Sequence, residues 1–487
     1  MADSLRSKAL HAVSWTFLEA VGVRGTQFIV GIVLARLLLP EQFGLIGMLT
    51  VFMAVAQSLL DSGFGAALIQ KRDVAHVDAC SIFYFNIIVG IAAAGLLCLA
   101  APWIAAFYHQ PILTPLTRAM SAVIVVNSFA LVQNTILTKE LNFRAMTKVS
   151  LIGSTLSGIG GIAAAAAGCG VWSLVIQQVS SAFLHTLLLW LVSPWRPAWI
   201  FSRKSLQGMF GFGSRVMASG LLSTIFANIY WLIIGKLFSA ADLGYFTRAQ
   251  KMQELPTLTL SWMVGRVTFP VFSSIQDDRV RVKRGLRKVL TSLAFVSFPI
   301  TIGILVTARP LVIVLLTEKW APCVPYLRLL CLAGLLFPMN WFNMNVLYAI
   351  GRSDLCFRLE VIKKTLIVIS IAILWRWGIE ALIWGQVVVS ILSYAFNSYY
   401  NGVLIGYPIW EQVRDLVPYM MPTAVMGLGV YLMGHVPWPS DWLLLLIQML
   451  TGVVLCLGIS RLLRLPEFLE MWQTGWRKLS SLKVSTA

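Results

Sequence analysis

The chain has 487 residues, 58% of them hydrophobic and only 12% charged, with a mean hydropathy of +0.80 and a formal net charge of +18. A soluble domain carries about 25% charged residues, so a water-soluble globule is excluded and a multi-pass membrane protein is indicated. In a membrane protein the excess of Lys and Arg marks loops kept in the cytoplasm, and no nucleic-acid partner is implied.

The opening MADSLRSKALHAV lacks the small-residue cleavage site of a secretion signal, and the apolar run behind it reads as a first membrane helix. Runs of about 20 apolar residues span a bilayer. The sequence predicts fourteen, at 12–39, 43–69, 79–106, 112–137, 149–167, 170–193, 209–236, 246–272, 289–316, 321–350, 357–375, 379–400, 416–434 and 441–463. The fold class is therefore all-α.

Span 1 carries Glu19, Arg24 and Gln27. Arg24 lies about 18 Å along the helix. A lone charge at that depth costs at least about 2.5 kcal/mol and should face a cavity or a partner. Asp61 ends span 2 in LLDSGFG, where a carboxylate can bond backbone amides in a turn. Arg118 enters span 4, Arg215 opens span 7 and Arg328 enters span 10, each near enough to a boundary to snorkel. Span 8 is the most polar. Arg248, Lys251 and Glu254 occupy its first turns, and Lys251, Leu255, Trp262 and Arg266 share one broad stripe. Pro256 should kink it. Beyond it, DDRVRVKRGLRK puts Arg279, Lys283 and Arg287 on one helical face, suited to fixing topology or to anionic lipid headgroups.

Amides recur within the spans: Asn127, Gln133, Asn134, Gln177, Gln178, Asn228, Asn340, Asn343, Asn345, Gln386 and Asn397. Their ordinary role is hydrogen bonding between helices. Trp231, Trp262, Trp341 and Trp384 offer aromatic faces on which a ligand ring could stack, although tryptophan more often forms interfacial belts. The seven cysteines and five histidines show neither a metal-ligand spacing nor a nucleophile–base arrangement, so no metal, cofactor or enzymatic activity is expected.

Two connections echo each other. LARLLLPEQFGLIGM (Leu34 to Met48) joins spans 1 and 2, and IGKLFSAADLGYFTR (Ile234 to Arg248) joins spans 7 and 8. Arg36 answers Lys236, Glu41-Gln42 answers Ala241-Asp242, and Gly44 answers Gly244. Six spans separate the copies. The repeat is therefore parallel, about an axis along the membrane normal, as in transporters with two rocking halves. The expected organisation is a six-helix half over 1–195, a second over 196–402, and two extra helices with a tail over 403–487. About 26 basic residues fall at the termini and even-to-odd connections and about 5 on the other side, which places both termini in the cytoplasm. Arg36 and Lys236 then belong to the outer rim.

The echoing turn, together with DSGFGAALIQKRDVAHVD (Asp61 to Asp78), TKELNFRAM (Thr138 to Met146), GYFTRAQKMQELP (Gly244 to Pro256), GRVTFPVFSSIQDD (Gly265 to Asp278) and TEKWAPCVPYLRLLCLAGLL (Thr317 to Leu336), resembles the Wzx-type polysaccharide exporters. These form the polysaccharide-transporter branch of the multidrug/oligosaccharidyl-lipid/polysaccharide flippase superfamily, and the pattern is nearest the colanic-acid exporter type. The resemblance covers about residues 10–400. It implies a bacterial inner-membrane flippase that turns a polyprenyl-pyrophosphate-linked oligosaccharide from the cytoplasmic to the outer leaflet by alternating access. It also implies membrane lipids as surroundings, and a polysaccharide polymerase and co-polymerase as candidate partners.

A pyrophosphate and a glycan crossing hydrocarbon need a wet cavity with fixed cations. Arg24, Arg215, Arg248, Lys251 and Arg266 are the expected substrate contacts, Glu19 and Glu254 the candidates for proton coupling, and Arg36 and Lys236 the outer gate. A drug or small-solute exporter of the same superfamily would favour a cavity rich in carboxylates, whereas the buried charges here are mainly Arg and Lys. A membrane glycan polymerase or ligase would need a large outer loop, and the outer connections are short.

Overall fold

The computed structural model describes residues 22–61, 63–71, 74–470 and 473, and every regular element among them is helical. Glu19 lies outside the described residues. The chain divides into two compact units between Thr247 and Arg248.

The first unit begins with α1 (residues 22–37). It continues with α2 (Pro40–Asp61), α3 (Phe64–Gln70), α4 (His76–Tyr108), α5 (Leu113–Ser128), α6 (Leu131–Lys139), α7 (Phe143–Ala166), α8 (Trp172–Val192), α9 (Arg203–Ala227) and α10 (Ile229–Leu237), and takes in the first turns of α11 (Ala240–Ser274). Helix α2 packs on α4, α5, α9 and α10, while α5 and α7 both pack on α8. Helix α4 is apolar all round, and Ile88, Leu96, Leu99 and Trp103 stay exposed on it. Such a face suits lipid rather than water.

The second unit holds the rest of α11, then α12 (Arg279–Val306), α13 (Ala308–Leu316), α14 (Cys323–Gly334), α15 (Phe337–Ala349), α16 (Ser353–Leu374), α17 (Ile379–Ile405), α18 (Ile409–Met433) and α19 (Asp441–Leu462). Helix α12 packs on α14, α15 and α18; α17 packs on α14, α15 and α16; α18 packs on α19. The core between them is built from Phe272, Leu286, Leu290, Phe298, Met339, Phe342 and Tyr407.

Nine of the described helices, with Cys323–Ala349 taken as one, are long and apolar enough to cross a membrane, and two bent pairs raise this to eleven. The other three expected spans fall on α1, whose beginning is outside the described residues, and on α11 and α16, which are more charged. The bent pairs modify two expectations. Span 4 is α5 and α6 meeting at 41°, and span 7 is α9 and α10 meeting at 43° around Asn228. At the first bend α5 ends and α6 begins, and α8 adds side-chain donors to carbonyls there. Trp190 Nε1 donates to the Phe129 oxygen at 2.9 Å and Thr186 Oγ1 to the Val126 oxygen at 3.2 Å. Backbone groups in hydrocarbon need such substitutes.

The echoing connections adopt the same conformation. One helix ends at residue 37 and the other at 237, one bend residue and one residue without regular structure follow in each, and the next helices begin at Pro40 and Ala240. Proline suits that first helical position because the amide it lacks has no partner there.

Candidate functional site

In the first unit, Arg24 is half-buried on α1 and Arg36 is exposed at its end. Arg215 is exposed on α9, where its Nε donates to the Gly211 oxygen at 2.9 Å. With Val216, Ser219, Gly220 and Ser223, one turn apart along the helix, it lines a cavity of about 600 Å³. Lys236 donates to the Phe107 carbonyl and lies 4.6 Å above that ring. Arg118 is exposed on α5. Asp61 is the last residue of α2 and accepts from Gln57 Nε2 at 3.1 Å; Gln57 Oε1 accepts from Asn127 on α5 at 2.9 Å. The sequence suggested backbone amides as its partners. The structure gives it the head of a side-chain relay instead, and Gly63, at φ 69°, makes the turn.

The two echoing turns are capped alike. Asp242 Oδ2 accepts from the Ser239 amide at 3.2 Å, and Ser239 Oγ accepts in return from the Asp242 amide at 3.1 Å, a complete capping box. Gln42 Oε1 accepts from the Leu39 amide at 3.1 Å, the same half of that box. The alignment of Gln42 with Asp242 thus reflects one job, satisfying a backbone donor at a helix start.

In the second unit, α11 runs unbroken past Pro256 and Pro270 and has two unlike faces. Gln253, Thr257 and Ser261 recur every fourth residue and are buried, and Gln253 lies against Gly334 of α14. Lys251, Trp262 and Arg266 are exposed on the stripe expected for them. Arg248 is half-buried, and so is Glu254, which accepts from Gln250 Nε2 at 2.7 Å. Trp262 lies 5.6 Å from Trp341 of α15, whose indole nitrogen is buried without a hydrogen-bond partner beside Gly265. Cation, aromatic face and cation therefore succeed one another along one helix. Arg328 is exposed on α14 and Trp384 on α17.

The amides of the second unit form a ladder. Asn397 Nδ2 donates to Asn340 Oδ1 at 2.9 Å and Asn401 Nδ2 to Asn343 Oδ1 at 2.8 Å. Gln412 Oε1 of α18 then gathers Asn343, Tyr394 and Ser398, each at 3.1 Å. Asn343, Asn397, Ser398, Asn401 and Gln412 are all fully buried. This is interhelical bonding, as expected of the amides, and it clamps α18 to α15 and α17.

The ladder ends in a charged cluster that sequence reasoning missed. Lys283 pairs with Glu411 at 2.7 Å, Arg287 with Asp415, and Lys288 with Glu470 at 2.8 Å. Tyr407 donates to Asp415 at 2.8 Å, and Glu467 accepts from Thr291 at 2.7 Å and from Tyr419. Burial would raise the Glu467 carboxyl, but those hydrogen bonds and the Lys288 ammonium outweigh it and hold the group below its ordinary 4.5. Lys283 and Arg287 are thus committed to carboxylates on α18, which weighs against lipid headgroups as their partners. Helix α18 starts at Ile409, two turns before the expected span, which brings Glu411 and Asp415 onto it. The shared spacing of four, 283/287 against 411/415, was the available signal.

Helices of membrane-crossing length define a multi-pass membrane protein, in which one capped turn is built twice. The chain superposes on the lipid II flippase MurJ in its inward closed conformation with a TM-score of 0.76, over 93% of this chain and 98% of that one, at 15% identity. It belongs to the polysaccharide biosynthesis protein family, which matches residues 33–325. Among curated relatives it is 27% identical to the teichuronic acid biosynthesis protein TuaB of Bacillus subtilis, over 87% of this chain and 89% of that protein. It is 26% identical to the lipopolysaccharide biosynthesis protein WzxC of Escherichia coli, over 76% of each.

Proposed function

We propose that this protein flips a polyprenyl-pyrophosphate-linked oligosaccharide from the cytoplasmic to the outer leaflet by alternating access, for export of a surface polysaccharide. The observation that carries the reading is the stripe of α11, where Lys251, Trp262 and Arg266 are exposed while Gln253, Thr257 and Ser261 are buried on another face of the same helix. Cations at that depth answer a pyrophosphate, and an indole face answers a sugar ring. Relatives named for teichuronic acid and lipopolysaccharide biosynthesis support a glycan cargo.

Arg24, Arg215, Arg248, Lys251 and Arg266 contact the anionic cargo along its path. Glu254 couples a proton to the cycle, as does Glu19 in the part of the chain outside the described residues. Both termini lie in the cytoplasm, and Arg36 and Lys236 lie on the outer rim. A polysaccharide polymerase and co-polymerase receive the flipped lipid. A drug exporter is the weaker reading, because the exposed charges on α11 are cationic.

Deleting the gene in its host tests this. Lipid-linked glycan should accumulate and remain inaccessible from outside the inner membrane, and the intact gene should clear it. Unchanged pools of every lipid-linked glycan would contradict the proposal.

A further inference from the structure

We propose that Gly44 and Gly244 form the outer closure of the transport path, an interlock of two helix starts that seals backbone against backbone and that any side chain at either position holds apart. What the closure serves rests on the flippase reading above; the contact itself does not.

The contact is reciprocal. A Cβ placed on Gly44 would fall inside the Ala240 carbonyl group, 2.5 Å from its carbon. One placed on Gly244 would stand 2.8 Å from the Pro40 carbonyl carbon and 3.3 Å from the Gly44 nitrogen. Position 44 therefore meets 240, and position 244 meets 40, which is the relation a two-fold repeat of one turn produces. Both glycines are buried, and one turn deeper Gly47 lies against Leu243 and Thr247. At such an approach the glycine Cα–H groups face the carbonyl oxygens, a weak but directional contact.

The chemistry of the seam favours reversibility. The two glycines themselves have no side chain to order when the seam forms, which limits the rotamer entropy that changes hands there. Two helix N-termini meet there, ends of like partial charge, each with an acidic residue in its first turn, Glu41 and Asp242. Asp242 is engaged in the cap of its own helix and Lys236 at the Phe107 carbonyl. The capping box at Ser239 and Asp242 and the half box at Leu39 and Gln42 hold each helix start, so the two turns can part and meet as fixed surfaces.

The test needs no knowledge of the cargo, so its failure is distinct from failure of the flippase reading. In full-length protein with the seven native cysteines replaced, Gly47→Cys and Leu243→Cys are combined. Leu243 Cγ lies 3.3 Å from where a Cβ at Gly47 would stand, within disulfide reach. In oxidised membrane vesicles this pair should crosslink. Adding Gly44→Ala or Gly244→Ala should slow crosslinking about tenfold, because displacing the seam takes the pair outside disulfide geometry. Gly95→Ala, whose added Cβ would meet no neighbouring element within 4 Å, should leave the rate unchanged. Crosslinking at the parent's rate in both alanine variants would overturn the proposal. Should those variants fail to fold, the glycine parent decides. Met48→Cys, buried against Gly235 below the seam, should be labelled from outside by an impermeant maleimide as the closure opens. No labelling on prolonged exposure would mean permanent packing and would overturn it.

Discussion

Single residues on α11 carry the largest functional expectations. Lys251 and Arg266 are exposed on the same stripe, and a charge-assisted contact to phosphate is worth about 1.5–3 kcal/mol. Lys251→Gln or Arg266→Gln should therefore lower glycan export about tenfold or more while protein levels in the membrane stay near normal, as quantitative immunoblotting beside an export assay would read. Arg266→Lys should be milder, since it keeps the charge but loses the bidentate fork. Unchanged export in the double Gln variant would remove both from the path. The caps make a separate prediction. Asp242→Ala breaks a complete capping box and should destabilise the detergent-solubilised protein by about 1 kcal/mol, whereas Gln42→Ala breaks half a box and should cost less; thermal unfolding would rank them. The stripe was legible in the sequence because helix periodicity places it; the caps were not read there, although a Ser with an Asp three residues on, Ser239 and Asp242, is the spacing of a capping box. The partners of Asp61 were not legible, because a side-chain relay through Gln57 to Asn127 depends on how α2 meets α5.

Among the helices, the docking of α18 is the part least visible in the linear chain. Hydropathy placed its start at 416, because Glu411, Gln412 and Asp415 look like a loop. They are helical because Lys283, Arg287 and the amide ladder satisfy them one by one. The amides were recognised as interhelical glue, but which amide meets which follows from packing and not from spacing. Asn401→Ala should remove the bonds it donates to the Asn343 side-chain and backbone oxygens, leave the buried Oδ1 without that donor and cost about 1–3 kcal/mol, read as a lower unfolding temperature. Glu467 adds a pH signature. Its folded pKa is depressed, so its stabilisation is complete above the ordinary value of 4.5 and is lost as pH falls through the lower folded value. Acid should therefore lower the unfolding temperature of the native protein more than that of Glu467→Gln. Parallel pH profiles for the two would show that Glu467 does not anchor α12 to the chain beyond α19.

For the whole molecule, composition pointed to lipid as the solvent and the resemblance of several motifs to the polysaccharide exporters pointed to the family of folds, and both were readable before any coordinates. The number of crossings was less so, because bends at Phe129 and Asn228 divide two spans and the charges of α11 and α16 lower their hydropathy. Orientation is testable with reporter fusions after Lys139 and Lys204, which should read cytoplasmic, and after Lys319, which should read external; a reversed reading at two of the three would refute it. The central claim, movement of a lipid-linked glycan, is tested most directly in proteoliposomes. They would hold the purified protein and the lipid-linked glycan extracted from its own host, with an impermeant glycosidase added outside. The account predicts that the enzyme digests the whole pool, because inner-leaflet molecules are delivered to it, and that Lys251→Gln with Arg266→Gln restricts digestion to the outer leaflet. Digestion confined to the outer leaflet with the native protein, as in protein-free vesicles, would contradict it.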